Sequence, residues 1–194
     1  MIDAFVDEYL RGILNSTLGA EADVRILRER HAHLDTARLA ERIVGEAVTR
    51  SGQIGAATGA LTLLPVLRSS LLAMAVALDA ALLLREQLLM LIQLSYLHDP
   101  DKARAEREME AIELFARHAS DDELPTSPVP AVAGHYARTA FKHLMRRLFD
   151  HVWRKFLSLW LAIPMSLIIS AKVDRDATAE LGEFAAFALA RQRR

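Results

Sequence analysis

The chain of 194 residues contains no cysteine, which excludes disulfides, thiolate metal ligands and a cysteine nucleophile. The absence of cysteine also fits a reducing compartment, and the first residues lack the basic start and apolar run of a signal peptide. Neither sign of charge is in excess, with 24 basic against 25 acidic residues, so no overall attraction to nucleic acid is expected. We therefore predict a cytoplasmic protein that has no nucleic-acid partner.

Glycine and proline are also scarce, at 8 and 6 residues, and apolar residues nowhere alternate with the period of a strand. Hydrophobic residues make up 52% of the chain, which is typical of a globular protein. The pattern predicts an all-α fold, an irregular multi-helix bundle around one long apolar central helix, with no substantial sheet. The length fits a single domain.

Four regions divide the predicted domain. Asp35 is placed to cap a helix in the first region, and Asp174 or Asp176 to cap a final helix that follows a short apolar stretch, 165–171. The regions are N-terminal helices over 1–50, an apolar core segment with a charged helix over 51–118, a proline-rich loop over 119–134, and a basic amphipathic helix with C-terminal helices over 135–194.

The central helix is predicted from Ser70 to Leu97, and its few polar residues recur at intervals of seven. Carboxylates among so many leucines could be buried, and a neighbouring cation would then be needed to stabilise their charge. Two interpretations stay open: a ligand-binding stripe, or a thin solvated face with structural ion pairs. The candidate ligand-binding residues are Arg68, Asp79, Arg85, Glu86 and Gln93.

The segment from Ser51 to Leu67 carries no charge and contains three glycines and a proline. Small residues at this spacing allow another backbone to approach closely, so we predict a membrane or partner surface at Gly55 and Gly59. The central helix is long enough to cross a bilayer, but its charged residues make spanning unfavourable. A re-entrant hairpin over 51–78 is the remaining membrane alternative.

A basic aromatic helix is predicted from about His135 to Trp160, with six basic residues and one acidic residue between Arg138 and Lys155. It could lie on anionic lipid, pair with the acidic helix of 99–123, or pack within the chain with its basic face in solvent. The candidate membrane or partner residues on it are Arg146, Arg147, Trp153, Arg154, Lys155 and Trp160.

No residue pattern indicates catalysis, a metal or a cofactor. His31 and His33 are separated by one residue, but in a helical context such side chains point apart. The chain also lacks a phosphate-binding loop and a nucleophile elbow. We therefore predict no catalytic residues, no metal site and no cofactor.

Two stretches carry a family resemblance. The first comprises Gly59-Ala-Leu-Thr-Leu-Leu-Pro65, Asp79, Arg85-Glu-Gln87, Ile92-Gln-Leu-Ser-Tyr96 and Asp99-Pro100, and the second comprises Ile163-Pro164, Thr178, Leu181-Gly182 and Ala185-Ala186. Together they resemble the core and the closing segment of the EcsC family. The resemblance implies a bacterial, helical, membrane-associated protein whose activity is undefined.

These observations favour a non-enzymatic helical protein at or near the cytoplasmic face of the inner membrane, binding lipid or a membrane-protein partner. The main alternative is a soluble helical bundle that binds a small ligand or a metal along the polar stripe of the central helix, with an enzyme among the options. A homo-oligomer that pairs through the segment 51–67 is the third alternative.

Overall fold

The computed structural model describes residues 11–61, 69–119 and 166–192. These residues form helices and no strand, which confirms the predicted all-α fold. The helices are α1 (Ala20–Arg30), α2 (Thr36–Leu61), α3 (Ser69–His98), α4 (Arg104–Ala119) and α5 (Ser166–Gln192). The loop predicted over 119–134, apart from its first residue, and the predicted basic aromatic helix fall outside the described residues.

Helix α3 is the predicted central helix, and its ends lie one residue outside the predicted ones. Its leucines face every direction, and the four other helices pack around it. Leu88, Leu91 and Leu94 are each at most 1% exposed. Residues Leu78–His98 are long and apolar enough to cross a membrane, yet 78% of their most apolar stretch is buried inside the protein.

Helix α2 begins where the sequence predicts, since the backbone N–H of Arg38 donates a 2.8 Å hydrogen bond to Oδ1 of Asp35. Helix α2 continues across the region boundary drawn at residue 50 and through its glycines to Leu61. Glycine has a low intrinsic helix propensity, but close packing against another helix outweighs that preference here.

Helix α5 also corrects the prediction, because one continuous helix replaces the short apolar stretch and the later capped helix. Asp174 lies inside α5 and is fully buried, so it does not cap a helix. Gly55 lies against Asp174, and Ser51 bonds to Thr178. These contacts show that α5 runs antiparallel to α2.

Arginines hold the C-terminal end of α3, where the last carbonyl groups of a helix have no partner within it. Arg28 of α1 donates to the carbonyl of Leu97 at 2.6 Å. Arg107 of α4 donates to the carbonyls of Pro100 and Asp99 at 2.5 and 3.3 Å. These cations also interact favourably with the negative end of the helix dipole.

Candidate functional site

Three uncharged helix segments meet at one end of the bundle. They are 51–61 of α2, 69–78 of α3 and 166–171 of α5. Because α2 runs antiparallel to α3 and α5, the end of α2 lies beside the starts of the other two helices, as contacts of Gly55 with α5 and of Thr58 with α3 show. We call this region the uncharged end.

Large apolar side chains are exposed at the uncharged end. Leu78 is 61% exposed and Ile168 is 60% exposed, and Leu82, just beyond the uncharged end on α3, is 40% exposed. Leu78 and Leu82 are four residues apart on α3, so they lie on the same helix face. These side chains offer apolar area that the described part of the chain does not cover.

The uncharged end has the depth of about one lipid leaflet. Residues 69–78 rise about 15 Å along α3 at 1.5 Å per residue. The hydrocarbon core of a bilayer is about 30 Å thick, so one leaflet contributes about 15 Å. The next residue of α3 is Asp79, and its side chain is 1% exposed.

Buried polar side chains form a seam between α2, α3 and α5 that begins at the uncharged end and runs toward the middle of the bundle. Thr58 donates from its hydroxyl to Oδ1 of Asp79 at 2.5 Å. One level lower, Thr178 donates to the hydroxyl of Ser51 at 2.9 Å and accepts from the amide of Gln87 at 3.3 Å. Each of these bonds joins two helices, so the seam fixes their register.

Glycines make the close approach of α2 and α5 possible. A Cβ atom on Gly55 would overlap Oδ2 of Asp174 and lie 2.6 Å from the carbonyl oxygen of Ser170. A Cβ atom on Gly182 would lie 2.6 Å from Cγ1 of Val44. The contact predicted for the small residues therefore exists, and its partner is α5 of the same chain.

The polar residues that recur along α3 form what we call the polar line. Its members Asp79, Glu86 and Gln93 are buried, but they contact different partners. Asp79 bonds to α2, whereas Gln93 donates to Oδ2 of Asp23 in α1 at 3.4 Å. Glu86 pairs with Arg85 at 2.5 Å and with Arg50 at 3.5 Å. The expected cation beside a buried carboxylate is therefore present, and the described members of the line do not converge on one site.

The predicted surface residues lie elsewhere than expected or outside the described residues. Gly55 and Gly59 are buried, so the contact of Gly55 is internal to the chain. Arg68 and all six candidates of the basic aromatic helix lie outside the described residues. Contact of any of these residues with lipid or a partner stays a prediction.

The sequence prediction missed the α5 side of the seam. Ser170, Asp174 and Thr178 are each at most 1% exposed, and they repeat at intervals of four residues. That interval places them on one helix face, but the pattern is recognisable only if 166–192 is a single helix. The hydroxyl of Ser170 is buried and has no hydrogen-bond partner among the described residues.

Within the described ranges, no group of three histidine, aspartate or glutamate side chains could hold a metal ion. A shallow groove on the outer face of α2 is lined by residues of that helix alone, including Arg42 and Arg50. Comparisons of the chain with protein-family models, with curated proteins and with solved structures gave no match.

Proposed function

We propose that the chain is a non-enzymatic helical protein that binds the cytoplasmic face of a membrane by inserting its uncharged end into one leaflet. The observation that carries this proposal is the meeting of three uncharged helix segments at one end of the bundle. Exposed Leu78 and Ile168 supply apolar area for the contact. Transfer of such area out of water is favourable by about 25 cal/mol per Å².

Two features favour lipid over a protein partner. Interfaces between soluble proteins normally have a polar rim around an apolar centre. Here the uncharged residues extend for about 15 Å along α3, which matches the hydrocarbon of one leaflet. Between Arg50 and Asp79 the sequence has only one charged residue, Arg68.

Membership in an EcsC-like group of bacterial proteins is part of the same proposal. The residues that carry the resemblance include Asp79 and Gln87, which contribute to the buried seam, and Gly182, which contacts Val44. A membrane-associated role agrees with what that resemblance implies. The proposed location is peripheral, on the inner membrane.

Vesicle flotation with the full chain tests the proposal. The double variant L78Q/I168Q removes two exposed apolar side chains from the uncharged end, and we expect its partitioning onto vesicles to fall by at least about tenfold. The matched control is I26Q/F187Q, because Ile26 and Phe187 are 42% and 69% exposed and lie on α1 and in the C-terminal part of α5, away from the uncharged end. We expect the control to bind like the unmodified chain.

Three outcomes would contradict the proposal. The chain could stay off vesicles of every composition, or both double variants could lose binding equally. Binding to membranes that contain protein, without binding to protein-free vesicles, would identify a membrane protein as the partner instead of lipid. Circular dichroism of each variant checks that the helices are retained.

The alternative function, a ligand or metal held along the polar line of α3, stays a prediction. Each described member of that line has its own partner, in α1, in α2 or on α3 itself. A homo-oligomer that uses 51–67 also stays a prediction, although 51–61 packs against α5 of the same chain. Sedimentation of the full chain distinguishes a monomer from such an oligomer.

A further inference from the structure

One stripe of α5 changes from apolar to basic where the uncharged end stops. Ile168, Lys172 and Arg175 are separated by four and then three residues, so they lie on the same helix face. All three side chains are exposed. Along the helix axis, Lys172 lies about 6 Å and Arg175 about 10 Å from Ile168.

The two cations on this stripe have no ion-pair partner among the described residues. Other basic residues near the uncharged end do have one, since Arg50 and Arg85 both pair with Glu86. A paired arginine has its charge balanced within the protein and gains less from binding an anion. Among the described residues at this end, Lys172 and Arg175 are therefore the cations available to bind an external anion.

A glycine positions one of these cations. The aliphatic stem of Arg175 crosses α2 at Gly52, where an added Cβ atom would lie 2.7 Å from both Cγ and Cδ of the arginine. The missing side chain lets the stem lie flat against α2. The guanidinium group is thereby kept near the helix bundle, so less side-chain entropy is lost when it binds a ligand.

The depth of the stripe fits the polar surface of a bilayer. The polar region adds about 5 to 7 Å to each side of the hydrocarbon core. With Ile168 in hydrocarbon, Lys172 would reach this polar region, and the long side chain of Arg175 could extend toward it. Phosphate groups of lipids carry the negative charge at that depth, and arginine can bind them with two parallel hydrogen bonds.

We propose that Lys172 and Arg175 bind the phosphate groups of anionic lipids when the uncharged end is inserted. This inference rests on the proposed function, because it assigns the lipid class that the same surface prefers. Anionic headgroups would add an electrostatic attraction to the apolar contact of Leu78 and Ile168, and salt would weaken only the electrostatic part.

Flotation of the full chain on two kinds of vesicle tests the inference. One kind contains phosphatidylcholine alone, and the other also contains phosphatidylglycerol. For K172Q/R175Q we expect partitioning onto the anionic vesicles to fall about thirtyfold at low salt, and binding to neutral vesicles to stay unchanged. High salt should remove the difference between this variant and the unmodified chain.

The matched control is R25Q/R30Q, which removes two exposed arginines of α1, away from the uncharged end. Both double variants lower the net charge by the same amount, from −1 to −3. An equal loss for both would assign the effect to overall charge and overturn the inference. An unchanged anionic preference in K172Q/R175Q would also overturn it.

The failures of the two proposals can be told apart. If the unmodified chain binds neither kind of vesicle, the proposed function fails. If it binds both kinds equally well, the proposed function stands and the inference fails. The variant G52A tests the positioning of Arg175 without a change of charge, and it should lower anionic binding less than the double variant does. Anionic binding equal to that of the unmodified chain would contradict the positioning by Gly52.

Discussion

At the C-terminal end of α3, an arginine of α1 binds the carbonyl of Leu97 and an arginine of α4 binds carbonyls of the turn that follows, whereas the N-terminal segment 69–78 has no charged residue. Near the charged end, Lys102 pairs with Glu110 at 2.8 Å, and Arg107 pairs with Glu21 at 2.5 Å. At the uncharged end, large apolar side chains remain exposed. One end thus satisfies its polar groups within the chain, and the other leaves apolar area for an external contact.

The difference between the two ends predicts that one set of residues determines stability and another set determines membrane binding. Substitutions in the buried half of α3 and at its charged end should lower the free energy of unfolding and leave the membrane contact intact. Substitutions of exposed residues at the uncharged end should weaken the membrane contact and leave the free energy of unfolding nearly unchanged.

The largest loss is expected for Leu94→Ala in the centre of the core. Leu94 is fully buried, and truncating such a leucine leaves a cavity that costs about 2–5 kcal/mol. Urea denaturation followed by circular dichroism measures the change. The control Leu94→Met keeps the volume and should cost less than about 1.5 kcal/mol. Equal effects of the two changes would contradict a closely packed core at this position.

The next largest loss is expected for Arg107→Gln at the charged end. Arg107 is 2% exposed, and its guanidinium group also lies 4.5 Å from the centre of the Tyr96 ring. Loss of hydrogen bonds from a charged donor should lower the unfolding free energy by about 1.5–3 kcal/mol. The control Arg38→Gln breaks an exposed ion pair with Glu41 and should cost less than about 1 kcal/mol. A similar loss in both would show that Arg107 does not hold the helix end.

A glycine pair tests the contact between α2 and α5. Gly55→Ala places a methyl group against Asp174 and the backbone of Ser170, and such overpacking should cost about 1–3 kcal/mol. Gly45 on the same helix has nothing within 4 Å of an added Cβ atom, so Gly45→Ala should stabilise by about 0.5–1 kcal/mol. Thermal denaturation of both variants should therefore give shifts of opposite sign. A stabilising Gly55→Ala would mean that the two helices are farther apart.

The central helix could be predicted from sequence because its signals are local. A serine stands at its start, an Asp-Pro pair follows its end, and the residues between are almost all apolar. The leucines around Asp79 and Glu86 indicated that these carboxylates could be buried, and a buried carboxylate needs a cation such as Arg85 nearby. Each of these signals lies within one or two helical turns of the residue that it concerns.

The seam could not be predicted, because it depends on contacts between distant parts of the chain. Gly55 was assigned to a membrane or partner surface, because small residues allow another backbone to approach closely and the sequence does not identify that backbone. Asp174 was interpreted as a cap, since aspartate favours helix starts. Only the packing of α5 on α2 shows that Gly55 makes room for Asp174, and that contact spans more than a hundred residues of sequence.

The smallest change in stability is expected for Leu78→Gln at the uncharged end. Leu78 is 61% exposed, and substitutions of exposed side chains usually change the unfolding free energy by less than about 0.5 kcal/mol. Leu84 on the same helix is 2% exposed, so Leu84→Gln should cost more than about 2 kcal/mol because it leaves a cavity and buries an amide. Denaturation in urea without lipid measures both variants. If Leu78→Gln alone destabilised the protein by more than about 1 kcal/mol, Leu78 would be part of the core, and the uncharged end would lose the exposed surface on which membrane binding depends.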